Sequence, residues 1–178
     1  DNEFFVLSYP DILSVKSAKD KTKLLEKIRY ENLELWTVYQ AYVCSVHGQK
    51  HIMTDSGRFP LSAIGRLNLY RLILEVAENI IAESGRIGMV IPSGFASDSF
   101  SQKHFNSIHS EGRLVSFYDF ENREGIFSGV HRSYKFCLIT LIGRENSIKE
   151  TDFVFFAKNV NDLRDSEKHI PMSPEIVA

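Results

Sequence analysis

The sequence predicts an α/β fold, and three observations carry that prediction. Residues 68–84 repeat apolar side chains at helical spacing and run straight into a short buried strand, RIGMVIP. A second helix-then-strand pair follows over residues 99–121. Two more strand-like runs, YKFCLITLIG and DFVFFA, then come with no helix between them. Helix–strand alternation points to a parallel sheet with covered faces, and the late consecutive strands to an antiparallel edge or hairpin.

Each element has its own signals. Phe4, Phe5, Val6 and Leu7 form an apolar cluster near the start. Ser17 suits the cap of a first helix, AKDKTKLLEKIRY, with Asp20 in its first turn and a stripe of Leu24, Leu25 and Ile28. Leu35, Trp36, Tyr39, Tyr42, Val43 and Val46 recur at three- to four-residue spacing, which predicts a second helix ended by Gly48. Ser56, Gly57, Pro60 and Gly65 mark residues 48–66 as a long loop. Asn68 caps the clearest helix, and Gly85 stops it. Its expected apolar face is Tyr70, Ile73, Leu74, Ala77, Ile80 and Ile81, with Arg71 and Glu75 paired on the other face. Pro92 ends the next strand. Ser99 and Gln102 have capping-box spacing, and Gly112 closes the helix they open. RLVSFYDF alternates like a strand, and residues 159–164 suit a short helical stretch.

Composition narrows the function classes. The chain has 178 residues, 43% of them hydrophobic, enough for one domain with a sizeable core or a piece of a larger one. A net charge of −2 confines any nucleic-acid contact to a local patch. The longest apolar runs fall far short of the ~20 residues that span a bilayer, no signal peptide is visible, and a cytoplasmic location without membrane contact is expected. Cys44 and Cys137 lie in apolar segments and read as buried reduced thiols. The chain opens at Asp1 without an initiator Met and closes on SPEIVA, which reads as a helix opening, so it is expected to be cut from a longer polypeptide.

Several chemistries find no support. There is no G-x-G-x-x-G or Walker-type glycine loop, and no acidic-x-Lys pair of the kind many metal-dependent nucleases use. Tyr9-Pro10-Asp11 therefore reads as a turn. Cys44, His47 and His51 approach metal-ligand spacing, but no fourth ligand accompanies them and Gly48 should break the helix between the histidines, so no metal site is assigned. Asp119 and Glu121 sit two apart on one strand face, a spacing open to acid–base work and equally to a salt bridge with Arg123. Phe136 is either a core residue in the period-two set Phe136, Leu138, Thr140 or an aromatic at the mouth of a strand. Arg123, His131, Arg132 and Lys135 surround a glycine-containing loop, solvated or in contact with phosphates.

Two blocks together resemble a known family. GRLNLYRLILEVAENIIAESGRIGMVIPSGF (residues 65–95) and LVSFYDFENREGIFSGVHRSYKFCLITL (residues 114–141) resemble, in order and spacing, parts of DNA adenine-N6 methyltransferases. HIPMSPEIVA looks like the linker before their target-recognition region. The closest flavour is the large single-chain enzymes of restriction–modification systems. The resemblance covers about two-thirds of the chain.

The resemblance implies a Rossmann-like, seven-stranded α/β sheet that binds S-adenosylmethionine and methylates N6 of an adenine flipped out of double-stranded DNA. The family's glycine-rich cofactor loop and its N-P-P-[YFW] tetrapeptide are missing; all five prolines here are isolated. The expectation is therefore the second half of that sheet with a late antiparallel strand pair, inactive without the remainder of the parent polypeptide. Residues 1–64 would form a helical segment and loop, 65–158 the second half of the core, and 159–178 a linker. By resemblance Phe136, with Tyr134, lines the target-base pocket. Arg123, His131, Arg132 and Lys135 position DNA, and Asn68, Tyr70, Ile73 and Pro92 edge the cofactor pocket. Ile73 stands where many members carry an aromatic. No catalytic residue is expected in this chain. The competing functions are a non-catalytic DNA-binding or scaffold module, and a small hydrolase using Asp119 and Glu121.

Overall fold

A computed structural model describes residues 2–175. The chain divides into two compact units, residues 2–56 and 57–175. The expected boundary at 64/65 lies eight residues further on; residues 57–64 group with the second unit, where Glu75 binds Leu61 and Ser62.

The first unit is helical. It holds α1 (Asn2–Phe5), a 3-10 turn at Pro10–Leu13, α2 (Ala18–Glu31) and α3 (Leu33–Asp55). Phe5, Ile12, Ile28 and Tyr39 are its buried centre, with Leu24, Leu25, Leu35, Trp36 and Val43 packed around them. The helix does not stop at Gly48. Residues beyond it support one another at i,i+4: Gln49 binds Ser45, Thr54 binds the Lys50 carbonyl, and His51 meets Asp55 at 2.6 Å. These contacts, together with the unbroken backbone hydrogen bonding, outweigh the roughly 1 kcal/mol that a mid-helix glycine costs. Cys44 is exposed on this helix, not buried.

The second unit is a five-stranded mixed sheet of order β1-β3-β2-β4-β5, with two helices. It holds α4 (Leu69–Ile80), β1 (Arg86–Pro92), α5 (Gln102–Ser110), β2 (Leu114–Glu121), β3 (Lys135–Ile142), β4 (Thr151–Ala157) and β5 (Ile170–Met172). The late strands do not form a hairpin. β3 lies between β1 and β2, antiparallel to both, and β4 runs parallel to β2. An interior slot buries both edges of the strongly apolar β3, which a hairpin at the sheet margin would not. β5 pairs with β4, so residues 170–172 belong to the sheet rather than to a linker. The helix start expected at residues 173–178 falls largely outside the described residues.

Side-chain alternation splits β3 between two faces. Cys137, Ile139 and Leu141 join the main core with Leu74 of α4, Phe105 and Ile108 of α5, Ile91 and Phe117. Leu138 and Phe136 turn the other way, onto Phe120, Val154 and Ala157. No α-helix of the described second unit contributes to that second cluster, which takes only Leu163 from a short 3-10 helix at Val160–Arg164, so the expectation of two helix-covered faces holds for one face only.

α4 buries an unexpected stripe. Arg71 and Glu75 are interior, whereas Ile73 and Ile80 are 55% and 77% exposed. The polar loop ahead of the helix explains this. Glu75 accepts from the backbone N–H groups of Leu61 and Ser62 at 3.1 and 2.9 Å, and from the Ser62 hydroxyl. Arg71 donates to the carbonyls of Phe100, Ile64 and Arg66. The two residues are thus not an exposed ion pair. The helix ends at Ile80 rather than Ser84, and the chain after it meets Gly143, whose N–H binds the Gly85 carbonyl at 3.0 Å. α5 begins after Ser101, not Ser99, and Gly112 closes it at φ +65°, a left-handed conformation glycine adopts freely.

A buried polar network ties α4, α5 and β3 together. Glu78 meets His104 Nε2 at 2.5 Å, and Arg113 donates to Glu78 at 3.0 Å and to the Ile142 carbonyl at 3.2 Å.

Candidate functional site

The row Pro92–Phe136–Phe120 crosses β1, β3 and β2 at one end of the sheet. Phe136 stands opposite Pro92 on one side and Phe120 on the other. β1, β2 and β4 all finish at this end, the edge where open α/β sheets place their sites. Residues from the segments IPSGF, FEN and YKF, distant in sequence, thereby become neighbours.

Phe136 is half-buried. Its ring lies flat on Phe120, with centroids 5.1 Å apart and planes 4° apart, and Phe127 meets it edge-on at 4.9 Å. One ring face is therefore committed to packing, which holds the side chain rigid. Tyr134, two residues earlier, is 64% exposed.

The loop from Asn122 to Tyr134 is organised by a residue the sequence reading passed over. Asn122 is fully buried. Its amide donates to the carbonyls of Phe127 and Val130 at 3.0 and 2.9 Å, and its oxygen accepts from Phe127 N–H at 2.9 Å. Its own N–H binds the Tyr134 carbonyl at 3.0 Å, closing the loop. One side chain thus satisfies three backbone groups that otherwise need water. The signal for it was present: an amide immediately after a strand and before a glycine-rich loop suits local backbone capture.

The basic cluster is only partly free. Glu121 is bound by Arg123 at 2.6 Å and by Lys135 at 3.2 Å. The carboxylate pair therefore splits, with Glu121 neutralised by salt bridges and Asp119 buried. Arg132 has a 3.3 Å contact to the Arg123 carbonyl, and His131 binds Ser133. Arg132 and His131 thus keep their charge-bearing groups clear of a carboxylate, while Arg123 and Lys135 are already paired.

The four residues expected to edge a cofactor pocket are spread out. Asn68 occupies the cap position of α4, but its side chain makes no cap hydrogen bond. Tyr70 packs edge-on to Phe95 at 6.5 Å. Ile73 lies on an exposed stripe with Leu69, Val76 and Ile80, and Pro92 is exposed at the end of β1.

Elsewhere, Cys137 is buried opposite Asp119, and burial followed by that carboxylate pushes its thiol up to about 12. His169 bonds Asp152 at 2.8 Å and the Leu163 carbonyl at 3.1 Å; these contacts, Asp152 first, raise its pKa. Among the described residues there is no cluster of three or more His, Cys, Asp or Glu able to hold a metal, and no helix long and apolar enough to cross a membrane.

No protein-family model matches the chain, and no curated protein matches it. Among solved structures, the chain is similar to the type IIG restriction endonuclease BpuSI, with 16% identity and a TM-score of 0.49 over 72% of this chain and 17% of that one. It is also similar to the ATP-dependent Type ISP restriction-modification enzyme LlaBIII bound to DNA, with 11% identity and a TM-score of 0.45 over 70% of this chain and 10% of that one. The chain thus matches only a small part of either protein.

Proposed function

We propose that this chain is part of a DNA adenine-N6 methyltransferase of a restriction–modification enzyme, carrying the end of its sheet and a loop that faces the target base. The observation that carries the reading is the convergence of Pro92, Phe136 and the Asn122-pinned loop at one sheet end. The motif resemblance expects these segments to share a site, and they are brought together by strand register.

The physical role follows from the chemistry of the base. An adenine inside a duplex is out of reach, so it must be extruded and held between flat side chains. Phe136, backed by Phe120, is a rigid wall of that kind, and exposed Tyr134 extends it. Arg132 and His131 are the phosphate contacts. Arg123 and Lys135 contribute once phosphate displaces Glu121.

The residues of this chain do not by themselves fit S-adenosylmethionine. Asn68, Tyr70, Ile73 and Pro92 provide no glycine turn and no carboxylate for it, and Ile73 faces solvent. The cofactor is therefore assigned to the remainder of the polypeptide, and methyl transfer by this chain alone is not expected.

A second reading, a scaffold module of a restriction complex, is favoured by the exposed apolar stripe Leu69, Ile73, Val76 and Ile80 on α4 and by β1, an edge strand whose only charged residue is Arg86. Unprotected edges of this kind accept further strands.

DNA binding by this chain tests the reading it shares with the parent. Affinity for duplex DNA should fall steeply with salt. Arg132→Ala should reduce the salt slope by about one unit. Glu121→Gln, which releases Arg123 and Lys135, should tighten binding. Salt-independent binding, or an Arg132→Ala variant indistinguishable from wild type, contradicts the reading.

A further inference from the structure

The far side of the same sheet end carries a strained, exposed aromatic. β4 follows β2 in register as far as Tyr118 opposite Val154, and resumes with Phe120 opposite Ala157. Phe155 and Phe156 therefore face the single residue Asp119, which is a β-bulge. Phe156 sits there at φ +58°, the only described non-glycine residue with a positive φ. Glycine or asparagine takes that conformation cheaply; phenylalanine does not.

Its ring gains little from the fold in return. Phe156 is 63% exposed. Its ring neighbours are Phe155, tilted at 6.5 Å, and the Lys135 ammonium, 4.7 Å from its centroid. Beneath the bulge lies Asp119, 93% buried by its 7% relative exposure. One of its oxygens accepts from Phe156 N–H over a long 3.5 Å, and the other has no partner. A buried carboxylate is thus committed to a distortion that turns a large apolar ring into water. Bulges and strained residues of this type concentrate at binding sites, where they aim a side chain.

The ligand chemistry follows from the pair. An exposed π face suits a flat heteroaromatic, and the cation beside it suits an attached phosphate. Lys135 precedes Phe136 on β3, so their side chains lie on opposite faces of the sheet. The Phe156 ring is therefore separate from the Phe136 wall, and Lys135 reaches a phosphate there by releasing Glu121, which its ammonium otherwise meets at 3.2 Å. We propose that Phe156 is a stacking platform for one unpaired base of a nucleic-acid strand, with Lys135 contacting its phosphate and Asp119 positioning the bulge. This rests on the nucleic-acid reading above and adds a contact that reading does not contain.

The test uses this chain and a short single-stranded oligonucleotide carrying 2-aminopurine, whose fluorescence is quenched by stacking. Wild type should bind and quench. Phe156→Ala and Phe156→Gly should each weaken binding about 5- to 150-fold, the loss of one stacked base. Phe156→Trp should keep both affinity and quenching. Phe156→Gly should also melt at or above the wild-type temperature, because it removes the positive-φ cost. Salt-dependent binding that Phe156→Ala leaves unchanged overturns this inference and spares the nucleic-acid reading. A Phe156→Gly variant that loses thermal stability together with affinity also overturns it, since the ring would then act through packing. Failure of wild type to bind either single-stranded or duplex DNA overturns both.

Discussion

Replacing Asn122 by aspartate changes one buried atom type and should dismantle the loop it holds. The two side chains have nearly the same shape. The oxygen that accepts from Phe127 N–H is retained, but the amide that donates to Phe127 O at 3.0 Å and Val130 O at 2.9 Å becomes a second carboxylate oxygen. Two donated hydrogen bonds turn into contacts between acceptors. The Phe127 and Val130 carbonyls belong to exposed residues that water can reach, so each lost bond costs about 0.5–1.5 kcal/mol and the two together about 1–3 kcal/mol. Protonating the new carboxyl restores one donor. Its pKa should therefore rise in the folded state, and the penalty should shrink as pH falls. Urea unfolding at neutral and mildly acidic pH measures the magnitude and its pH dependence, and hydrogen exchange at the Phe127 amide reports the loop directly. A loss below about 0.5 kcal/mol with unchanged exchange would refute the argument that Asn122 pins the loop. DNA affinity should fall with the same substitution, because His131, Arg132 and Tyr134 ride on the loop.

Other consequences are equally direct. Glu78→Ala leaves Arg113 and His104 buried without their shared carboxylate, and should cost about 3–5 kcal/mol in urea unfolding; a change under about 1 kcal/mol would contradict the network. In the native chain a thiol reagent should modify exposed Cys44 and spare Cys137, whose thiol is buried and pushed up to about 12; rapid modification of both would contradict this. His169 has a folded pKa above its ordinary 6.5, so its bond to Asp152 adds stability that is complete below that value and is lost as pH rises through the raised one. Protection factors in β5, whose partner strand carries Asp152, should accordingly be larger at pH 6 than at pH 8 once the base-catalysed intrinsic rate is divided out, and Asp152→Asn should erase that difference.

Much of the sheet was legible because β-strands advertise themselves. The apolar runs RIGMVIP, YKFCLITL and DFVFFA all form strands, and Leu24, Leu25 and Ile28 face inward on α2 as their spacing predicts. Strand order was not legible. Placing β3 between β1 and β2 depends on pairing across more than forty residues, which local pattern does not encode. The α4 face was misread for a similar reason. Arg71 and Glu75 look like a surface pair until the loop at 61–66 supplies backbone partners that let them be buried. At the site, Phe136 and Pro92 were found by motif and meet through register. Asn122 and Phe156 were missed because their importance lies in backbone geometry: a closed loop in one case, a bulge in the other.

The proposed function stands or falls on whether the polypeptide containing this chain methylates adenine in DNA. Its most direct test is to express that complete polypeptide, incubate it with duplex DNA and S-adenosylmethionine carrying a labelled methyl group, and identify the modified base by mass spectrometry. The expected product is labelled N6-methyladenine, strongly reduced by Phe136→Ala and absent when this chain is used alone. Labelled methyl on cytosine, no transfer at all, or full transfer by the Phe136→Ala variant would contradict it.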